Sequence, residues 1–213
     1  MNRVLSVFLV FVSSMALCAS AVSAADLIIK PTAVALTDTT EDSNRPAINT
    51  INGGGFSGAE QTALETGAVV PTTWPDVDTG TYTLNQRSSR GSWNDSTATY
   101  TLTLHGSDSY AVSGIHLWNY LEASATSRGT QTFTIDVSPD NSAWTAVNGG
   151  ASYNILRLSE DADAIYGETF SFGATYSDIQ YVRINITATV NYPGFDEIRL
   201  IQPALPGALF TIR

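Results

Sequence analysis

The chain has 213 residues, with ten Lys or Arg against twenty Asp or Glu and a formal net charge of −10; charged residues make up 14%, against about a quarter in an average soluble domain. That balance repels nucleic acid and anionic membrane surfaces and argues against both as partners, while leaving divalent cations and neutral glycans open. The only cysteine, Cys18, lies in the N-terminal segment, so the rest of the chain must be held by its core or by a metal rather than by disulfides.

Residues 1–24 read as an export signal. Arg3 supplies the positive start, Val4 to Leu17 is an apolar run, and Val22-Ser23-Ala24 and Ser23-Ala24-Ala25 offer small residues at the cleavage positions, predicting cleavage after residue 24 or 25. The run falls short of the ~20 residues a membrane span needs, so no membrane insertion of the mature chain is expected. A lipoprotein signal through Cys18 fits poorly because Leu17 stands where a small residue is wanted. Cleavage would remove one of the ten basic residues and no acidic one, taking the net charge from −10 to −11. The remaining length suits one domain with one sizeable core in a secreted protein, extracellular or periplasmic.

Residues 25–44 form an N-terminal segment: Leu27-Ile28-Ile29 is a candidate edge strand, followed by a Thr/Asp/Glu-rich linker. From 45 to 98, abundant Gly, Pro, Asn and Ser predict long loops with short strands, and Ala59–Thr66 allows one or two helical turns. Strand patterns are continuous from Thr99: Tyr100, Leu102, Leu104; Ile115, Leu117; Phe133, Ile135, Val137; Phe170, Phe172; Val182, Ile184, Ile186; Ile198, Leu200. Ser138-Pro139-Asp140-Asn141 carries turn chemistry. The pattern predicts an all-β antiparallel sandwich, or jelly roll, over residues 45–202. Residues 203–213 read as a tail, either a frayed terminus or the remnant of a sorting signal.

Catalytic chemistry finds little footing. His116 sits mid-strand out of phase with Ile115 and Leu117, His105 ends a strand beside Gly106, and no nucleophile elbow, zinc helix or phosphate-cradling loop occurs. The acidic group Glu160, Asp161 and Asp163 reads as a solvated loop, with a catalytic carboxylate pair as the competing reading. The protein is not expected to be an enzyme.

Three segments in order resemble the discoidin family, also called the coagulation-factor C-type domain. They are Ala47 to Gly58 with Asn52-Gly53, the run Trp118-Asn119-Tyr120 … Arg128-Gly129 … Ser138-Pro139-Asp140-Asn141-Ser142-Ala143-Trp144, and Tyr181–Ile186 followed by Phe195–Leu200. Asn141 replaces the usual turn glycine, and Asn also tolerates positive φ. The resemblance implies a galactose-binding-like sandwich from a bacterial source, with ligands bound on loops at one end. It also implies a structural Ca²⁺ held by Asn52, Glu197 and, as a further oxygen, Thr62; the competing role for Glu197 is a solubilising charge on an edge strand. Sugar recognition wants an aromatic face beside planar hydrogen-bonding groups. The ligand-binding candidates are accordingly Trp74, Trp93, Asn119, Tyr120, Glu122, Arg128 and Tyr192. For Trp74 and Trp93 the competing role is capping the core, and for Arg128 it is bracing the loop by pairing with Glu122; Trp118 and Trp144 read as packing residues. Galactose-binding relatives carry an Arg and an Asn where Leu121 and Ala123 stand, so the usual galactose contacts are missing.

The expectation is therefore a secreted, non-catalytic module that binds a glycan or another cell-surface ligand through end-of-sandwich loops. The reading from another class is a structural protein of cell adhesion or the extracellular matrix, without a sugar pocket.

Overall fold

The computed structural model describes residues 24–93, 95–122, 128–156, 164–189 and 191–204. The export-signal segment up to residue 23, Ala123, the group Glu160, Asp161 and Asp163, and the tail from 205 onward lie outside the described residues. In chain order the strands are β1 (Leu27–Ile29), β2 (Ala33–Thr37), β3 (Val77–Asp78), β4 (Ser89–Arg90), β5 (Ala98–Thr103) and β6 (Tyr110–Asn119). They continue with β7 (Thr130–Ser138), β8 (Thr145–Ala146), β9 (Tyr153–Asn154), β10 (Ala164–Ile165), β11 (Gly167–Ile179), β12 (Tyr181–Thr189) and β13 (Gly194–Gln202).

Two antiparallel sheets face each other. One runs β1-β13-β6-β11, with β4 added beside β13; the other runs β2-β5-β12-β7-β8, with β9 beside β7. Period-two alternation builds the space between them. Tyr100 and Leu102 of β5, Phe133, Ile135 and Val137 of β7, and Val182, Ile184 and Ile186 of β12 point inward from one sheet. Ile115 and Leu117 of β6, Phe172 of β11, and Phe195, Ile198 and Leu200 of β13 meet them from the other. The predicted turn after β7 closes as its residues require: Asp140 Oδ1 accepts from Ser142 N (2.9 Å) and Ala143 N (2.8 Å), and Asn141 takes φ 61.

Leu27–Ile29 form the expected edge strand, β1, and residues 33–37, expected in the linker, form a second strand of the sandwich. β1 pairs with β13, and β2 lines the edge of the other sheet along β5, from Ala33↔Thr103 to Thr37↔Thr99. The alternation in Ala33-Val34-Ala35-Leu36-Thr37 is weak in sequence because alanines fill its exposed positions, and only Val34 and Leu36 pack on the core.

The first sheet is covered on both sides. A second apolar cluster of Ile28, Phe56, Leu64, Val77, Trp118, Leu121 and Ile165 lies on its outer face. The loop-rich stretch after residue 45 supplies much of this cover, including a helix α1 (Gly58–Ala63) with a capping box between Ser57 and Glu60. Trp118 is fully buried there; its indole Nε1 donates to Pro75 O (2.9 Å), and Phe56 meets its ring edge-on at 5.1 Å. His116 belongs to the same outer layer. It is stacked under Trp74 at 4.0 Å, and its Nδ1 shares a 2.7 Å hydrogen bond with Thr169 Oγ1.

Burial lowers the His116 pKa to about 3, so the ring is neutral in the folded protein. The folded value lies below the unfolded one, so protonation favours unfolding: stability falls as the pH drops below the ordinary histidine range and continues to fall toward pH 3. NMR titration should show the His116 ring shifts flat down to pH 4. A His116 transition near pH 6 would contradict the stacked, buried placement.

Candidate functional site

The loops at one end of the sandwich converge because the strands there end in register. β6 ends at Asn119 opposite Phe195 near the start of β13, Thr130 at the start of β7 faces Thr189 at the end of β12, and Ala98 at the start of β5 faces Ile186. The β4–β5, β6–β7 and β12–β13 connections and the segment after β2 therefore meet. Backbone bonds lock them: Gly91 N donates to Pro193 O (2.8 Å), Gly129 N to Tyr192 O (3.3 Å) and Arg90 N to Arg45 O (3.3 Å). Gly129 is needed as glycine, since its φ is 93 and a side chain there would press on Tyr120 O.

At the centre sits Glu122. Its carboxylate pairs with Arg45 Nη1 (3.1 Å), Arg90 Nη1 (3.0 Å) and the guanidinium of Arg128, and it also accepts from Tyr120 Oη. Arg90 Nε reaches a second carboxylate, Asp42 (2.7 Å). Burial alone would raise the Glu122 carboxyl; the bonds from Tyr120 and Arg128 and the charges of Arg45 and Arg128 outweigh it and hold the group below the usual range. For Asp42, the Asn44 N–H and Arg90 likewise overcome burial and lower its pKa.

An aromatic pair lies beside this charge cluster. Trp93, half exposed, meets Tyr192 edge-to-face at 5.1 Å. The Arg90 and Arg128 guanidiniums lie 4.0 and 4.6 Å from the Tyr192 ring, and Arg128 is 5.5 Å from Trp93. Tyr192 holds a left-handed backbone at φ 52, a conformation that costs a non-glycine residue about 1 kcal/mol. Strain of this kind concentrates at functional sites. The ensemble sets the half-exposed Trp93 ring beside planar N–H donors that lie over Tyr192.

Of the candidate residues, Trp93, Tyr120, Glu122, Arg128 and Tyr192 come together, though not in equal roles. Tyr120 is buried and acts through its hydroxyl on Glu122. Asn119 is a loop lock: its side chain donates to Thr130 O (2.8 Å) and Leu156 O (3.1 Å) and accepts from Tyr120 N and Thr130 N. Trp74 stands apart, stacked on His116 over the outer face. Trp144 lies under the Arg183 guanidinium at 4.3 Å, packing against the second sheet. Sequence reasoning missed Asp42, Arg45 and Arg90. The one local signal was Arg90-Gly91-Ser92 directly before Trp93.

The residues expected to hold calcium do not fit a divalent ion. Glu197 is not on an edge: β13 lies between β1 and β6, and the side chain is buried. Its Oε2 accepts from Gly53 N (2.8 Å), and its Oε1 pairs with the guanidinium of Arg199, itself fully buried. Arg199 also donates from Nε to Leu64 O and from Nη1 to Ile198 O, both at 2.8 Å. An organic cation therefore already neutralises the carboxylate. Asn52 Oδ1 caps Gly54 N (2.7 Å), and Thr62 Oγ1, on the exposed side of α1, donates to Gly58 O (2.9 Å). Among the described residues no cluster of three or more His, Cys, Asp or Glu could hold a metal.

Asp196, next to Glu197 at a bulge in β13, is also buried and pairs with Arg87, whose Nη2 continues to Leu121 O (3.2 Å). This second buried pair ties the β4 segment to the site loop. A separate depression of about 520 Å³, bordered by Lys30, Glu65 and His105, shares no residue with the aromatic and arginine cluster.

No known family profile matches the sequence, and no curated protein resembles it closely enough to match. Solved structures do match in fold. An F5/8 type C domain from Bacteroides fragilis aligns with a TM-score of 0.53 at 14% identity, over 84% of this chain and 97% of that one. The family 32 carbohydrate-binding module of C. perfringens NanJ, solved with galactose, aligns with a TM-score of 0.54 at 13% identity, over 83% of this chain and 99% of that one. The lectin domain of lectinolysin, solved with Lewis B antigen, aligns at 0.51 with 12% identity, over 81% and 93%. The chain has the galactose-binding-like β-sandwich fold that its motifs suggested.

Proposed function

We propose that this protein is a secreted, non-catalytic module that recognises carbohydrate, on a cell surface or in the extracellular space, through the loops around Trp93 and Tyr192. The observation that carries the reading is the half-exposed Trp93 set against Tyr192, with the Arg128 guanidinium beside both rings and that of Arg90 beside Tyr192. A sugar ring offers C–H groups to an aromatic face and hydroxyls to planar donors, and the cluster supplies both. The module solved with galactose and the lectin domain solved with Lewis B antigen share the fold, which supports a glycan as the ligand class. Galactose itself is disfavoured: Leu121, where such relatives carry a polar contact, is buried in the outer apolar cluster.

A glycan array probed with the chain from residue 25 onward tests this. Binding to at least one glycan is expected, and Trp93→Ala should weaken it by tenfold or more, the loss typical of a central aromatic anchor, while shifting the thermal midpoint by no more than about 2 °C. Silence across the array at millimolar sugar would overturn the reading.

A further inference from the structure

We propose that the sugar recognised at this site is acidic, its anionic group received by Arg128 and Arg90. The inference rests on the carbohydrate reading above and names the class of sugar. It comes from a mismatch within the cluster. Arg45, Arg90 and Arg128 all converge on the single carboxylate of Glu122, and among the described residues only Arg90 pairs with a second, Asp42. Three guanidiniums bring more N–H donors than these carboxylates have lone pairs to accept. Two further acids on these loops are engaged elsewhere: Asp95 Oδ2 accepts from Thr39 Oγ1, and Glu41 accepts from Ala47 N.

A chain of net charge −10 has thus gathered three of its ten basic residues at one carboxylate. Their mutual repulsion is only partly compensated by Glu122 and Asp42, two carboxylates against three guanidiniums, and a further anion would complete the balance. Position favours the same outcome. Arg90 and Arg128 both lie over Tyr192, and Arg128 also reaches the half-exposed Trp93, so a sugar ring lying on Trp93 would bring its substituents toward the guanidiniums. A guanidinium matches a carboxylate or sulfate in planar, paired hydrogen bonds, which a lysine ammonium cannot reproduce.

The test titrates the isotope-labelled protein by NMR with matched sugars: galacturonate, glucuronate and mannuronate, their neutral hexoses, and galactose 6-sulfate. At least one acidic sugar should bind tenfold or more tightly than its neutral partner at low salt, with the advantage shrinking as salt screens the contact. A sulfate-only preference would assign the anion as sulfate, and a uronate preference as carboxylate. Arg128→Gln should bring the acidic-to-neutral ratio toward one, and Arg128→Lys, which keeps the charge, should restore part of it. Trp93→Ala should weaken every sugar. Equal binding of acidic and neutral sugars, unchanged in Arg128→Gln, overturns the acidic assignment and leaves the carbohydrate reading standing. No binding by any sugar, on these probes and on the array, sinks both.

Discussion

Replacing Arg199 with methionine should cost about 3–5 kcal/mol, the range for removing one partner of a buried ion pair. The thermal midpoint should fall by about 10 °C or more for a domain of this size. Methionine keeps much of the side-chain volume, so the loss is chiefly electrostatic. Glu197 would remain buried with the Gly53 N–H as its main support, and Leu64 O would lose its donor. Burial already pushes the Glu197 carboxyl up, against the pull of Arg199 and the Gly53 N–H. Without Arg199 it should rise further. A carboxyl raised in the folded state favours folding as it gains a proton, so the variant should recover stability as the pH falls from 7 toward 5. Glu197→Leu in the Arg199→Met background should regain part of the loss, because removing both charges avoids an unpaired one. The same geometry predicts that a chelator leaves the midpoint of the unmodified protein unchanged, since the guanidinium already supplies the positive charge. A midpoint that falls by several degrees in chelator, or an Arg199→Met cost under 1 kcal/mol, would contradict this account.

Legibility in the sequence followed the range of the interactions. Strands such as β5 and β12 show alternation in adjacent residues, and the Asp140-Asn141 turn acts over a few positions, so both were readable. β6 was harder. Ile115 and Leu117 face the space between the sheets while His116 and Trp118 face a second apolar layer, so the even and odd positions are both buried. That covering layer comes from residues without strand patterns, and their packing role had no periodic signature. The charge cluster was the least legible part. Arg45 and Arg90 lie 77 and 32 positions from Glu122, and no local rule connects them. Glu197 and Arg199 did carry a signal, opposite charges two residues apart and hence on one strand face. It was obscured by reading Glu197 as a calcium ligand, with a solubilising charge on an edge strand as the competing role.

Glu122→Gln should destabilise the fold by about 2 kcal/mol, less than a fully buried pair because the partners retain some contact with water. The side chains involved keep between 12% and 19% of their exposure, so screening softens the effect without abolishing it. Glutamine preserves the shape and can still accept one bond from an arginine or from Tyr120. What it removes is the charge that allows Arg45, Arg90 and Arg128 to lie together. The pH dependence separates this cause from simple loss of packing. Glu122 titrates below its unfolded value, so its contribution is present above pH 4.5 and is lost as the pH falls through the folded pKa. The stability gap between the two proteins should therefore be widest near neutrality and narrow as the pH falls below 4.5. A packing defect would leave a constant gap. Anions give a second discriminator: sulfate should raise the midpoint of Glu122→Gln more than that of the unmodified protein, because it binds the stranded guanidiniums only in the folded state. A gap that is the same at pH 3.5 and pH 7, or one that sulfate does not narrow, would mean that the three arginines do not depend on Glu122 for their placement.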